Sequence, residues 1–134
     1  MNYTKLVKAA FRAKRNSYSP YSKFPVGAAI LTSSGKVFTG CNIEISSYGL
    51  TICAERTAIF KALSDGYRSL KAIAVVSDLD DFVPPCGACR QVLVDLAGNI
   101  DVIMADNKGH TKVMKVTDLI PLPFTPKMLR RARK

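Results

Sequence analysis

A chain of 134 residues with 48% hydrophobic side chains suffices to bury one core and leaves little for a second, so a single domain over 1–134 is expected. No apolar run approaches membrane-spanning length, and Met1-Asn2-Tyr3-Thr4-Lys5 lacks the basic-then-apolar layout of a secretory signal. The formal net charge of +10 admits a polyanionic partner.

Residues Tyr3 to Asn16 place Leu6, Val7, Ala10, Phe11 and Ala13 at helical spacing, and Ser17-Tyr18-Ser19-Pro20 ends that helix. Val26 to Thr32 and Lys36 to Asn42 read as two strands joined by the tight turn Ser33-Ser34-Gly35. A second helix is expected over Thr51 to Ser64, a buried strand over Leu70 to Ser77, and a proline-bearing loop over Asp78 to Pro85. A third helix follows over Cys86 to Leu96, then strands over Ile100 to Ala105 and His110 to Val116 around an Asp106–Gly109 turn. The remainder holds a short helix and a basic tail at about 125–134. The alternation predicts an α/β fold, with a mixed sheet holding a hairpin and some parallel pairing.

Basic residues crowd the two ends: Lys5, Lys8, Arg12, Lys14 and Arg15, and again Lys127, Arg130, Arg131, Arg133 and Lys134. The middle, where the cysteines sit, is far less basic, so a solvated basic surface is preferred to a nucleic-acid groove. Residence in the reducing cytoplasm is expected, which argues against disulfides among Cys41, Cys53, Cys86 and Cys89 and points to metal ligation or redox chemistry.

Cys53-Ala54-Glu55-Arg56 and Pro85-Cys86-Gly87-Ala88-Cys89 both fall at helix starts. There the helix dipole favours thiolates, and residues three apart share a face. If the two starts face each other, Cys53, Cys86 and Cys89 give three ligands and one open position, the pattern of a catalytic zinc site. Two other readings compete. The C-x-x-C alone fits a thioredoxin-like redox pair, and Cys41 as a fourth ligand would close a structural site. Glu55 weighs against both, because a carboxylate beside a metal ligand can move protons without binding the metal. Three thiolates around one divalent ion leave a net negative charge. Arg56 and Arg90 are the candidate cations to offset it, Arg56 being preferred as a donor to the ligand sulfurs.

C-A-E followed by P-C-x-x-C resembles the signature of the zinc-dependent nucleobase deaminases. Tyr21-Ser22-Lys23-Phe24-Pro25-Val26-Gly27-Ala28-Ala29, Gly40-Cys41-Asn42-Ile43-Glu44, Ser47-Tyr48-Gly49-Leu50-Thr51 and Arg90-Gln91 extend the likeness to the small cytidine deaminases. The resemblance implies a three-layer α-β-α sandwich around a mixed five-stranded sheet and one zinc ion per subunit. It also implies hydrolysis of cytidine and deoxycytidine to uridine and deoxyuridine in pyrimidine salvage. Cysteine at position 53, where relatives often carry histidine, implies the short homotetrameric branch. By the same resemblance Glu55 shuttles the protons, Phe24 packs on the pyrimidine and Ala54 reads the base through its backbone. Asn42 and Glu44 hold the ribose, while Tyr48 and Phe124 reach a neighbouring subunit's pocket. From the residues alone, Phe24 reads equally well as core. Ile45-Ser46, where the family usually has Asn-Ala, and Pro123 before Phe124 depart from its pattern.

Two rival functions are weighed. A deaminase acting on cytosine or adenine in RNA or single-stranded DNA would use the positive charge, but Glu44 repels phosphate and no basic stacking platform flanks the site. A zinc-stabilised binding module would leave Glu55 without a role.

Overall fold

The computed structural model describes residues 2–132. Its sheet has five strands in the order β2-β1-β3-β4-β5: β1 Val26–Thr32, β2 Val37–Cys41, β3 Leu70–Ser77, β4 Asp101–Ala105 and β5 Thr111–Lys115. β3 and β4 are parallel, with Ala72 opposite Asp101, and the other neighbours are antiparallel, so the expected mixed sheet is found.

Strand alternation divides the sheet into two apolar faces. Ala29, Ala72, Ala74, Val76, Ile103 and Ala105 meet α1 (Thr4–Lys14) through Leu6, Val7, Ala9 and Ala10. Ala28, Ile30, Ile73, Val75, Val102 and Met104 meet α2 (Ala54–Ser64) and α3 (Gly87–Leu96), mainly through Ala58, Ile59, Ala62 and Leu93. This is the three-layer arrangement the sequence implied. Gly40 on β2 sets the depth of α2, since a Cβ there would stand 2.6 Å from the Ala54 carbonyl oxygen and 2.5 Å from the Ala58 nitrogen. Only a glycine lets the start of α2, with Glu55 on its first turn, lie this close to the strand.

Several boundaries differ from expectation. α2 begins at Ala54 rather than Thr51, because Ile52 pairs with Ile43 through two backbone hydrogen bonds of 3.0 Å and keeps the preceding chain extended. α3 begins at Gly87 rather than Cys86, which leaves Cys86 as the N-cap. Val116 leaves β5 to open α4 (Val116–Leu119), and most of the stretch expected as tail forms α5 (Pro126–Ala132). Arg133 and Lys134 lie outside the described residues. No helix among the described residues is long and apolar enough to cross a membrane.

Candidate metal centre and active site

Cys53 and Cys86 occupy equivalent places: each is the extended N-cap residue of its helix, with φ/ψ of −71°/156° and −66°/169°. Cys89, one turn into α3, is buried against them. The three sulfurs lie within 4.8 Å of one another, the only such group of possible metal ligands among the described residues. Cys41 stays on β2, half-buried, and contributes nothing to the cluster.

The cluster fits zinc. Two sulfurs each about 2.3 Å from a tetrahedral ion stand about 3.8 Å apart, and Cys53 Sγ and Cys86 Sγ are 3.7 Å apart. The local charge fits as well. The Cys53 thiol is pulled down to about 5, first by a hydrogen bond from Cys89 and then by Arg56 and Cys86 acting against burial. Cys89 is pushed up by the same bond and by burial. Arg56 Nη2 donates to Cys53 Sγ at 3.4 Å. Its Nε is the one buried side-chain nitrogen or oxygen without a partner among the described residues. Arg90, the other candidate cation, is committed elsewhere: its Nε donates to the Pro85 carbonyl and its Nη1 to that of Leu119, both at 2.7 Å.

Glu55, on the first turn of α2 and 4% exposed, lies beside the thiols without being one of the grouped ligands. Burial raises its carboxyl to about 7 and the Cys53 charge adds to this, against its own backbone amide, Arg56 and a hydrogen bond from Cys89. A carboxyl poised near neutrality can both accept and return a proton. Ala54, fully buried, is the first residue of the same helix.

The residues assigned to the nucleoside gather on the chain leading into this corner. The Ile43–Ile52 bridge joins the Asn42–Glu44 segment to the residue before Cys53. Asn42 donates through Nδ2 to the Phe24 carbonyl at 2.8 Å and accepts from the Val26 amide at 2.9 Å and from the Ser17 hydroxyl. Glu44 accepts from the Tyr21 and Ser22 amides, both at 3.0 Å, and from the Ser22 hydroxyl. The Ser22 bonds are the main reason its carboxyl titrates below the usual range. A cavity of about 290 Å³ brings Glu44 and Tyr48 together with Tyr21, Ser22 and Thr51. Phe24 is half-buried, whereas Tyr48 and Phe124 are exposed.

The zinc-binding region of the cytidine and deoxycytidylate deaminases matches residues 1–105. The chain belongs to that deaminase family. A cytidine deaminase of Sporosarcina psychrophila is 48% identical over 133 residues, covering 98% of each chain. One of Halalkalibacterium halodurans is 49% identical over 126 residues, 93% of this chain and 96% of its own. The crystal structure of the Burkholderia pseudomallei cytidine deaminase superposes with a TM-score of 0.89 at 47% identity, covering 92% of this chain and 100% of that one. The mixed sheet and the cysteine corner are therefore the fold and metal centre of a zinc-binding deaminase.

Several supporting residues escaped the sequence reading. Ser17 and Ser22 satisfy Asn42 and Glu44, and Gln91 donates to the Phe124 carbonyl at 2.8 Å, tying that segment to the helix that carries Cys89. Ser22 and Gln91 stand inside the stretches that carry the family likeness but had no role assigned there, and Ser17 is marked only by its turn-rich stretch before Pro20.

Proposed function

We propose that the chain catalyses the zinc-dependent hydrolytic deamination of cytidine and deoxycytidine to uridine and deoxyuridine with release of ammonia, as one domain over 1–134 serving pyrimidine salvage in the cytoplasm. The observation that carries this reading is the convergence of three thiols on one point with the buried, near-neutral Glu55 beside them. Cys53, Cys86 and Cys89 would hold one zinc ion per subunit. The ion supplies a water acidified to near neutral pH and so a nucleophile for C4 of the pyrimidine. Glu55 would take one proton from the attacking water and give it to ring N3, then take the second from the new C4 hydroxyl and give it to the departing amino group, ending as it began. Arg56 steadies the negative charge of the thiolates. Phe24 packs on the ring, Ala54 meets the base through its backbone, and Asn42 and Glu44 fix the sugar hydroxyls. An ionised Glu44 on this path favours a free nucleoside over a phosphorylated chain.

The assembly in this reading is a homotetramer with Tyr48 and Phe124 reaching a neighbour's pocket. Support comes from apolar surface in connecting segments. Ile43, Ile45 and Leu50, with Phe60 of α2, line an open groove of about 720 Å³, and Leu122 and Phe124 are exposed. Patches of this kind mark interfaces more often than free surface. The test is incubation of the purified protein with cytidine while ammonia release is followed, with and without a zinc chelator. Release that the chelator stops, and that added zinc restores, supports the reading. No release from zinc-replete protein refutes it.

A further inference from the structure

On the sheet face opposite the cysteines, α1 packs on β1 and β3 and leaves Val113 of β5 half exposed. The space between α1 and the β4–β5 hairpin is a groove of about 610 Å³. Val7, Ile103 and Val113 contribute apolar surface to it, and the rings of Tyr3 and Phe11 line it. Neither ring is loose. The Tyr3 hydroxyl donates to Asp101 at 2.6 Å, and the Lys14 ammonium stands 5.3 Å from the centre of the Phe11 ring.

The charge around this groove has one sign. Lys8 from α1 and Lys108 from the β4–β5 turn line it, and no carboxylate does. The nearby acids are spent: Asp101 accepts from Lys115 at 2.7 Å as well as from Tyr3, and Asp106 is folded into its own turn by the Lys108 and His110 amides and the His110 ring. The first turn of α1 carries no acidic residue, and the Thr4 amide is met by the neutral Asn2 side-chain oxygen at 2.9 Å. Along the outer side of α1, Lys5, Lys8, Arg12 and Arg15 follow one another at spacings of three and four, all exposed and none in an ion pair among the described residues.

We propose that this groove is a second ligand site, for a mononucleotide, with Lys8 and Lys108 on the phosphate and the base against the Tyr3 and Phe11 rings and the apolar floor. Its size falls within the roughly 300–1,000 Å³ of small-molecule sites. A bare phosphate would leave the floor unused, and an uncharged nucleoside would leave the lysines unused. The basic stripe on α1 raises the local concentration of anions around the mouth. The sheet separates the groove from the cysteine corner, so occupancy here does not depend on the proposed deamination.

The test is calorimetric titration of the full-length, zinc-loaded protein with uridine 5′-monophosphate at low salt. Parallel titrations use inorganic phosphate, uridine and a single-stranded oligonucleotide. The expected result is saturable binding of one nucleotide per chain that excess uridine does not displace. Phosphate alone should bind at least about tenfold more weakly, and the double variant Lys8→Glu/Lys108→Glu should lose at least about tenfold in affinity while keeping its basal activity, each the worth of about one charge-assisted contact. Displacement by uridine would place the nucleotide in the active site and overturn the proposal. Equal binding of phosphate, an undiminished double variant, or binding of the oligonucleotide alone would overturn it too. So would a Val113→Glu variant of lower assembly mass in sedimentation, which would assign the groove to a second copy.

Discussion

At the Cys53–Cys86–Cys89 corner three sulfurs converge and the buried Arg56 Nε has no acceptor, whereas at the Asn42–Glu44 corner the side chains are met almost wholly from within. Both residues of the second corner are only 8% exposed. The first corner is organised around something the polypeptide does not supply. The second is a piece of folded structure that also presents polar atoms to a ligand. Substitution in the first should therefore abolish metal and chemistry, and in the second should cost stability and affinity together.

The largest effect should follow from removing a sulfur. Cys89→Ala or Cys86→Ala should lose zinc and all measurable turnover, and the thermal midpoint should fall because the metal joins the starts of α2 and α3. Metal analysis and a melting curve read both. Full zinc occupancy in either variant would break the picture of a three-sulfur corner. Glu55→Ala should come next, and in a different way: zinc and fold retained, turnover down by about a hundredfold to ten-thousandfold, the range for a lost general acid–base group. The pair of variants separates holding the metal from moving the proton.

The two corners also differ in how far the sequence announces them. Cysteines at fixed spacing before two helical patterns can be read directly, because metal ligation restricts residue type and helix geometry restricts position. Asn42 and Glu44 stand out through likeness to a family and, from the residues, only as two polar side chains on one face at a strand end. Their partners Ser17, Tyr21 and Ser22 come from a loop whose path no periodicity encodes. The five strands and three main helices were legible from short apolar runs bounded by turn residues and from helical spacing, the runs being nearly continuous in β1 and β3, which are covered on both faces. The ends of α2 and α3 were not: the Ile43–Ile52 bridge that holds Cys53 at an N-cap is a contact between segments, and the same holds for the turn from β5 into α4.

Asn42→Ala sharpens the contrast. It leaves the Val26 amide and the Phe24 carbonyl without their partners at the entrance to β1, at a cost of about 1–3 kcal/mol for each buried group so orphaned. The expected outcome is a lower thermal midpoint and a weaker Michaelis constant with zinc content unchanged. A variant that loses affinity with no loss of stability would show the asparagine to be held for the ligand alone.

The smallest effect is expected at Cys41, and it bears on whether the metal corner is open or closed. Cys41 ends β2 opposite Gly27, half-buried, and burial is the first cause holding its thiol above the usual range, with Lys61 opposing. Its sulfur lies outside the cluster formed by the other three, and that position is what keeps it from the metal. Serine is close to cysteine in size and the site is not sealed, so Cys41→Ser should cost less than about 1 kcal/mol. Zinc stoichiometry should stay at one per chain and turnover within about twofold, a change of under half a kcal/mol in the barrier. If metal analysis instead finds zinc lost, Cys41 reaches the ion as a fourth ligand. The centre is then a closed structural site, and the water that Glu55 is proposed to deprotonate has no place to bind.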